Sequence, residues 1–300
     1  MVERWTKFFG EEIARAICVH DQSPPLPAVR LMLPAVEKEL EEAGVTLRPG
    51  RLLGAARLIT AGDVVATTAI REGRARTQDE GSQLVAEIAA GAVQTEAGKI
   101  LDCCAAPGGK TLILAERNPA ARIVACEASR PRLKQLGSRL AFLGERVDCR
   151  LADATALSFD AEFDVVLADV PCSGTGTLSR NPEIRHRLSA DDLPRQAERQ
   201  RAILACALRA VRPGGRVVYS TCSLEPEENE DVVGGVVAQN SNARVVPLRP
   251  SLDAFRHRGI VCEHAAERLE KCVTAEGFLR LSPEVFGTDG FFIAMLERIA

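Results

Sequence analysis

The feature that most constrains this chain is an alternation: from residue 77 to residue 235, short apolar runs alternate with stretches of helical spacing. "KILDCC" (99–104), "RIVACE" (122–127), "RVDCRLAD" (146–153), "FDVVLADVP" (163–171) and "GGRVVYSTC" (214–222) read as strands. One helix opens near Gly108, and a second covers "SRPRLKQLGSRLAFLG", where Leu133, Leu136, Leu140 and Leu143 recur at helical spacing. A third, "LPRQAERQRAILACALRAV", has Pro194 suited to its first turn. Strand–helix alternation requires right-handed crossovers, so the expected fold is α/β, a mostly parallel sheet covered on both faces. Ligands of such sheets sit beyond the carboxyl ends of the strands, which is where the polar clusters of this chain fall.

The flanks are less regular. Residues 1–76 hold a helix near 4–19, the proline-rich "SPPLPAV", a helix over 35–43 and short strands around 45–70. They are expected to form a small α+β subdomain ahead of a main domain over 77–300. Near the other end, "EGFLRLSP" and "DGFFIAMLER" are expected to pair as antiparallel strands at the sheet edge. No uncharged run approaches the ~18 residues of a membrane span, and "MVERWTKFFGEE" is too charged for a signal peptide. The expectation is a cytoplasmic protein, monomeric and without membrane contact. Ten cysteines occur with no C-x-x-C and only four histidines, so neither a metal site nor a disulfide framework is expected. The net charge of −3 hides a local asymmetry: residues 178–212 carry eight arginines against four acids, and 128–150 six basic side chains against two acids. A phosphate backbone needs only such a local basic face, although a solvated helix surface has the same composition.

Three segments carry candidate chemistry. "LDCCAAPGGKT" (101–111) follows a strand and opens a helix, so its glycines let a ligand approach backbone N–H groups at a helix N-terminus. It is not a P-loop, because that spacing requires glycine where Cys104 stands, and G-x-G-x-x-G is absent. The acids at later strand ends, Glu127, Asp153 and Asp169, suit ribose hydroxyls and an adenine edge without phosphate, a description that S-adenosylmethionine (SAM) fits. The second segment, "DVVLADVPCSGTGTLSRNPEIR" (164–185), ends a strand with Asp169 and Cys172 around the rigid Pro171; a turn-capping aspartate beside a filler cysteine explains it equally well. The third is Cys222 in "YSTCSLEPEENE". Core cysteines lie within strands, whereas Cys172 and Cys222 both lie where strands stop, so the two can converge on one pocket. Four glutamates (225, 227, 228 and 230) follow Cys222, and they are expected in the first turn of the next helix, pointing away from the thiol.

"QDEGSQLVAEI", "LDCCAAPGGKT", "ADVPCSGTGTLSRNPEIR", "GGRVVYSTCSLEPEENEDVV" and "DGFFIAMLER" together resemble the ordered motifs of the Sun-type RNA (cytosine-5) methyltransferases, above all the bacterial subgroup acting on 16S ribosomal RNA. "LRPGRLLGA" with the preceding helix resembles that family's small N-terminal, RNA-recognition-like subdomain. The resemblance implies a Rossmann-like class I SAM-dependent methyltransferase fold with SAM as cofactor and RNA as partner. It implies that Cys104, Ala105, Ala106, Pro107, Gly108, Gly109 and Lys110 line the SAM site. It further implies that Glu127 holds the ribose, Asp153 contacts the adenine, and Asp169 touches both cofactor and target base. Cys222 matches the nucleophile, and Cys172 matches the second cysteine, which helps release the product. The ribose acid of the family is usually aspartate, and here it is the longer Glu127. Members of the subgroup often carry a further helical RNA-binding domain, and none is expected within these 300 residues.

That residue set matches the chemistry in number and type. Cytosine C5 is too electron-poor to attack a sulfonium methyl unaided. Adding a thiolate to C6 turns C5 into an enamine-like nucleophile. An acid at the N3 edge, Asp169, stabilises the adduct, and a second group is needed to expel the thiolate. Competing readings are the same chemistry on tRNA, a non-catalytic RNA-binding assembly factor, a DNA cytosine methyltransferase using the Pro-Cys thiol, and a small-molecule methyltransferase. The last needs neither paired thiols nor an arginine-rich segment. Arg180, Asn181 and Arg185 are candidates for the RNA backbone, and Arg132 reads more readily as a helix-surface residue than as a cofactor contact.

Overall fold

The computed structural model describes residues 1–300. The N-terminal elements are α1 (Val2–Phe9), α2 (Glu11–His20), β1 (Ala28–Leu31), α3 (Ala35–Glu42), β2 (Thr46–Pro49), β3 (Ala56–Ala61), α4 (Thr68–Arg71) and β4 (Ala75–Thr77). The helix expected over 4–19 is two helices, because Gly10 interrupts it with φ 87°. β1 falls just after the prolines of "SPPLPAV", a strand that their presence concealed. These strands form an antiparallel sheet in the order β2-β3-β1-β4, over a core of Val29, Leu31, Val36, Leu40, Val45 and Ile59.

The remainder begins with α5 (Glu80–Gly91), β5 (Lys99–Asp102), α6 (Gly109–Arg117), β6 (Arg122–Glu127), α7 (Arg130–Leu140), β7 (Val147–Leu151) and β8 (Phe163–Asp169). It continues with α8 (Ile184–Arg187), α9 (Asp192–Ala210), β9 (Val211–Thr221), α10 (Glu230–Gln239) and β10 (Ala243–Val246). The last elements are α11 (Arg249–His257), α12 (Glu263–Lys271), β11 (Leu279–Leu281), α13 (Pro283–Phe286) and β12 (Phe291–Arg298). Strands β9-β8-β5-β6-β7 are parallel, and β12 joins antiparallel to β9. The expected antiparallel pairing of β11 with β12 is present on the side of β12 that faces away from β9, and β10, which the sequence pattern did not reveal, pairs farther along that same side. The sheet is Rossmann-like.

Alternation along each strand assigns side chains to opposite faces. Ile100, Val165, Leu167 and Val218 pack under α5, α6, α11 and α12, through residues such as Leu84, Ile88, Leu114, Phe255 and Leu269. Leu101, Val166, Val217 and Tyr219 pack against α9 and α10, through Ile203, Leu204, Val232 and Val236. The chain leaves β5 for β6 and β7 on one side and for β8 and β9 on the other. That reversal of strand order opens a crevice at the carboxyl ends of β5 and β8.

The small sheet is fastened to the larger unit by buried charge. Arg30 of β1, fully buried, donates to Glu87 of α5 at 2.7 Å and to Glu116 of α6 at 2.8 Å. Glu80, also buried, accepts the backbone N–H groups of Arg51, Leu52 and Leu53 at 2.8–2.9 Å. No helix is long and apolar enough to cross a membrane.

Candidate active site

The loop after β5 forms the floor of the crevice. Its backbone is held from both neighbouring strands, Cys103 N–H donating to Leu167 O and Ala105 N–H to Cys126 O, each at 2.9 Å. Gly108 then takes φ 98°, and a Cβ there would meet Leu136 of α7 at 3.0 Å. Glycine is therefore required for the turn that starts α6. Asp102 is buried at the loop's start. Thr111 Oγ1 donates to its Oδ2 at 2.7 Å, while Oδ1 is buried with no partner. Burial pushes this carboxyl up to about 6.

Two clefts meet over this loop, sharing Cys104, Ala106 and Asp169. The first, of about 200 Å³, is lined by Glu127, Arg132, Asp153 and Arg199 among others. Glu127 is buried and accepts the Ser129 N–H at 2.8 Å, with the Arg132 guanidinium 3.4 Å from its other oxygen. Arg132 also donates to Ala106 O at 2.9 Å, so it is a wall of the cleft and not simply a surface residue. Asp153 accepts the Thr155 N–H and hydroxyl on one oxygen, bonds that hold its carboxyl below the usual range. The orphan oxygen of Asp102 and the remaining lone pairs of Glu127 and Asp153 suit a ligand rich in donors, an ammonium and a hydroxyl pair. SAM fits that donor set.

The second cleft is lined by Gln78, Ser82, Gly109, Lys110, Arg139 and Asp169, and beside it the two strand-end cysteines meet. β8 and β9 run parallel with Asp169 opposite Ser220, so the residues just beyond them emerge over the same edge. The Cys172 and Cys222 sulfurs lie 3.4 Å apart. Gly176 N–H donates to Cys222 O at 2.9 Å, and the Ser173 and Ser223 hydroxyls lie 3.0 Å apart, so the neighbours of both thiols are joined as well. Cys172 is pushed well above the usual thiol range by its hydrogen bond to Cys222, by burial and by Glu228. Either thiol can donate in their contact.

Asp169 Oδ1 accepts from the Ser220 hydroxyl at 2.7 Å and Oδ2 from Lys110 Nζ at 2.7 Å. Burial works against the Lys110 charge, but Asp169 outweighs it and Cys222 adds to it, so the ammonium is held above its ordinary value. Lys110 also lies 5.5 Å from the centre of the Phe291 ring.

Among the site residues expected from sequence, Cys104, Ala106, Glu127, Asp153 and Asp169 border the first cleft. Cys104, Ala105, Ala106, Pro107, Gly109, Lys110 and Asp169 border the second. The glutamates meet expectation only in part: Glu227 and Glu228 lie in a short 3-10 helix over Pro226–Glu228, and Glu230 opens α10. Glu225 accepts the Trp5 indole N–H at 2.9 Å and, with Glu227, pairs with Arg4. Glu228 turns inward beneath Ser173, because buried donors await it there. Arg180 pairs with Asp79 and Asp289, Asn181 donates to Thr177, and Arg185 donates to the Asp21 carbonyl, so these candidates for a phosphate backbone are engaged within the fold. Sequence reasoning passed over Gln200 and Arg199. Gln200 left a signal, being a polar residue in line with Leu193, Ala197 and Leu204 on the buried stripe of α9.

The family model described as "16S rRNA methyltransferase RsmB/F" matches residues 92–297. The chain belongs to the 16S rRNA methyltransferase RsmB/F family. It is 29% identical over 313 aligned residues to the probable ribosomal RNA small subunit methyltransferase B of Bacillus subtilis (strain 168), covering 99% of this chain and 65% of that protein. It is 38% identical to the ribosomal RNA small subunit methyltransferase B of Vibrio cholerae, over 71% of this chain and 49% of that protein. The chain thus spans about half to two thirds of these relatives. The crystal structure of a methyltransferase homolog protein from Pyrococcus horikoshii superimposes with a TM-score of 0.77 at 26% identity, covering 99% of this chain and 94% of that one.

Proposed function

We propose that this chain methylates carbon 5 of a cytosine in RNA, most favourably 16S ribosomal RNA, through a covalent bond from Cys222 to C6. The observation that carries the reading is the 3.4 Å meeting of the two sulfurs, with Cys222 acting on the charge of Lys110, whose ion-pair partner Asp169 borders both clefts. SAM would be held by the 104–110 loop, Glu127, Asp153 and Asp169, and when bound it supplies the electrophilic methyl group that C5 takes up. Attack by the Cys222 thiolate places negative charge toward the N3 edge of the ring. A bare carboxylate there would oppose it, but the Lys110–Asp169 pair holds a proton and serves as the acid. On methyl transfer N3 returns its proton to the Lys110–Asp169 pair. C5 then gives its proton to water, and the freed electron pair re-forms the C5–C6 double bond as the C6–S bond breaks, so that Cys222 leaves as thiolate with the Cys172 thiol donating a hydrogen bond to it.

RNA as partner is favoured by the rim. Arg132, Gln135, Arg139 and Phe142 follow at helical spacing along α7 and just past it. Arg139 borders the second cleft, and Phe142 is 70% exposed. Cations beside an exposed ring suit phosphates and a stacked base. We assign RNA recognition to residues 1–76 as well, with catalysis in 77–300, a division that falls within β4.

The test is trapping on 5-fluorocytosine-substituted 16S RNA with SAM. Wild type should form a gel-stable adduct and Cys222→Ala none. Cys172→Ala on ordinary RNA should accumulate a covalent complex. Attachment that survives in Cys222→Ala and fails in Cys172→Ala reverses the two thiols.

A further inference from the structure

Glu228 is a carboxylate with no exposed surface, set beneath the turn that carries Cys172. Its Oε1 accepts the Ser173 N–H at 2.8 Å and Gln200 Nε2 at 2.9 Å, and its Oε2 accepts the Ser173 hydroxyl. Gln200 Nε2 reaches on to the Pro171 carbonyl at 3.0 Å. The residues on both sides of Cys172 are thereby fixed by one buried acid and one buried amide. Glu228 is itself anchored, since its backbone carbonyl accepts the Tyr219 hydroxyl at 2.6 Å. A buried carboxylate is costly unless its oxygens are fully paired. Serine N–H, serine hydroxyl and glutamine amide are neutral donors, so they satisfy the oxygens while leaving the negative charge in place.

We propose that Glu228 is a positioning residue for product release: through Ser173 and Gln200 it presents the Cys172 thiol to the sulfur of Cys222 as a hydrogen-bond donor. The inference rests on the reading of Cys222 as nucleophile. In the release step the Cys222–C6 bond breaks, its electron pair goes to sulfur, and the developing thiolate accepts the Cys172 S–H. Cys172 can donate only while protonated. Facing it are Tyr219 from β9, Cys222 just past that strand and Glu228 from the turn before α10, with the Lys110–Asp169 pair beyond Cys222. The negative charge of Glu228 adds to burial and to the bond with Cys222 in holding that thiol up.

Glu228→Gln keeps the shape and removes the charge. On an unmodified 16S rRNA transcript with SAM, the variant should form the covalent complex at close to the wild-type rate. It should then release the complex roughly tenfold or more slowly, as expected for loss of a charge-supported hydrogen bond. The slowing should deepen as pH rises, beginning at lower pH than in wild type, because Cys172 ionises sooner without the neighbouring charge. A purely structural defect has no such pH signature. A second readout needs no turnover: in a Cys222→Ala background, the pH midpoint for alkylation of Cys172, followed by mass spectrometry, should fall when Glu228→Gln is added. Gln200→Leu, which leaves the charge, should slow release without moving that midpoint. Wild-type release and an unmoved midpoint in Glu228→Gln overturn the proposal while leaving Cys222 as nucleophile. Absence of any adduct in wild type overturns the functional reading itself, and this inference with it.

Discussion

Lys110 Nζ lies 2.7 Å from Asp169 Oδ2, joining the first turn of α6 to the carboxyl end of β8 across the reversal in strand order. The loop proposed to hold the cofactor and the acid proposed to face the base are thus coupled by one ion pair. Removing the cation leaves Asp169 with only the Ser220 hydroxyl. Lys110→Met should slow adduct formation on 5-fluorocytosine RNA by about 100-fold, the scale of losing one charged group that stabilises a transition state. Equilibrium binding of RNA should change far less, and a wild-type adduct rate in the variant would remove the pair from the mechanism.

The rim of α7 gives a prediction about affinity rather than rate. Arg139 donates to the Pro107 carbonyl at 3.3 Å and keeps its head exposed, while the Phe142 ring stands in solvent. Phe142→Ala should weaken binding of a 16S RNA transcript by about 1–3 kcal/mol, the range for one stacked base. Arg139→Ala should flatten the slope of log affinity against log salt by about one phosphate contact. The two signatures differ, so filter binding across a salt series separates them. Unchanged affinity and slope in both variants would place the RNA on another face.

Much of this was legible in the sequence, and the reasons are physical. Periodicity marked β5, β6, β8 and α9 because their apolar residues face a core on a fixed repeat. Strand-end position singled out Cys172 and Cys222 because parallel neighbours deliver their termini to one edge, here through the pairing of Asp169 with Ser220. What stayed hidden depends on partners distant in sequence. β10 is four residues long and is defined by its pairing with β12. The direction of Glu228 was misjudged because helix-start logic weighs only local charge, while its donors come from β8's turn and from α9. The division of α1 from α2 turned on a single glycine.

Buried acids set a pH dependence of stability. Asp21 is 7% exposed, both carboxyl oxygens lack partners, and burial raises its pKa from 3.8 to about 6, with Arg185 pulling the other way and Glu284 adding to the rise. A carboxyl raised by folding favours the protonated native state. That contribution is complete below the ordinary value and is lost as pH climbs through the folded one. Asp21→Asn should therefore gain stability over wild type at pH 8, by up to about 3 kcal/mol, and match it near pH 4. Chemical denaturation at the two pH values checks this. A difference that is constant with pH would mean that Asp21 stays ionised in the native protein.

Arg30 is a buried tie between the small sheet and the larger unit. Its side chain has no exposed surface, and it serves Glu87 at 2.7 Å, Glu116 at 2.8 Å and Gln83 at 3.4 Å. Arg117 also pairs with Glu87 and Arg76 with Glu116, so the cluster contains three cations and two acids. Arg30→Met preserves much of the volume and removes the central cation. Glu87 and Glu116 then keep one partner each, on opposite sides of an apolar gap. Breaking a buried pair by deleting one member costs about 3–5 kcal/mol when the other charge is stranded. Because Arg117 and Arg76 remain, the expected loss is at the lower end, about 3 kcal/mol. The small sheet holds Arg30, Arg76 and the backbone bonded by Glu80, so weakening this joint should loosen residues 28–77 before the parallel sheet. Hydrogen exchange should show faster exchange at Val29, Arg30 and Leu31 than at Leu101 or Val166. Uniform acceleration across both sheets would show instead that the two units unfold together, with Arg30 contributing to a single cooperative core.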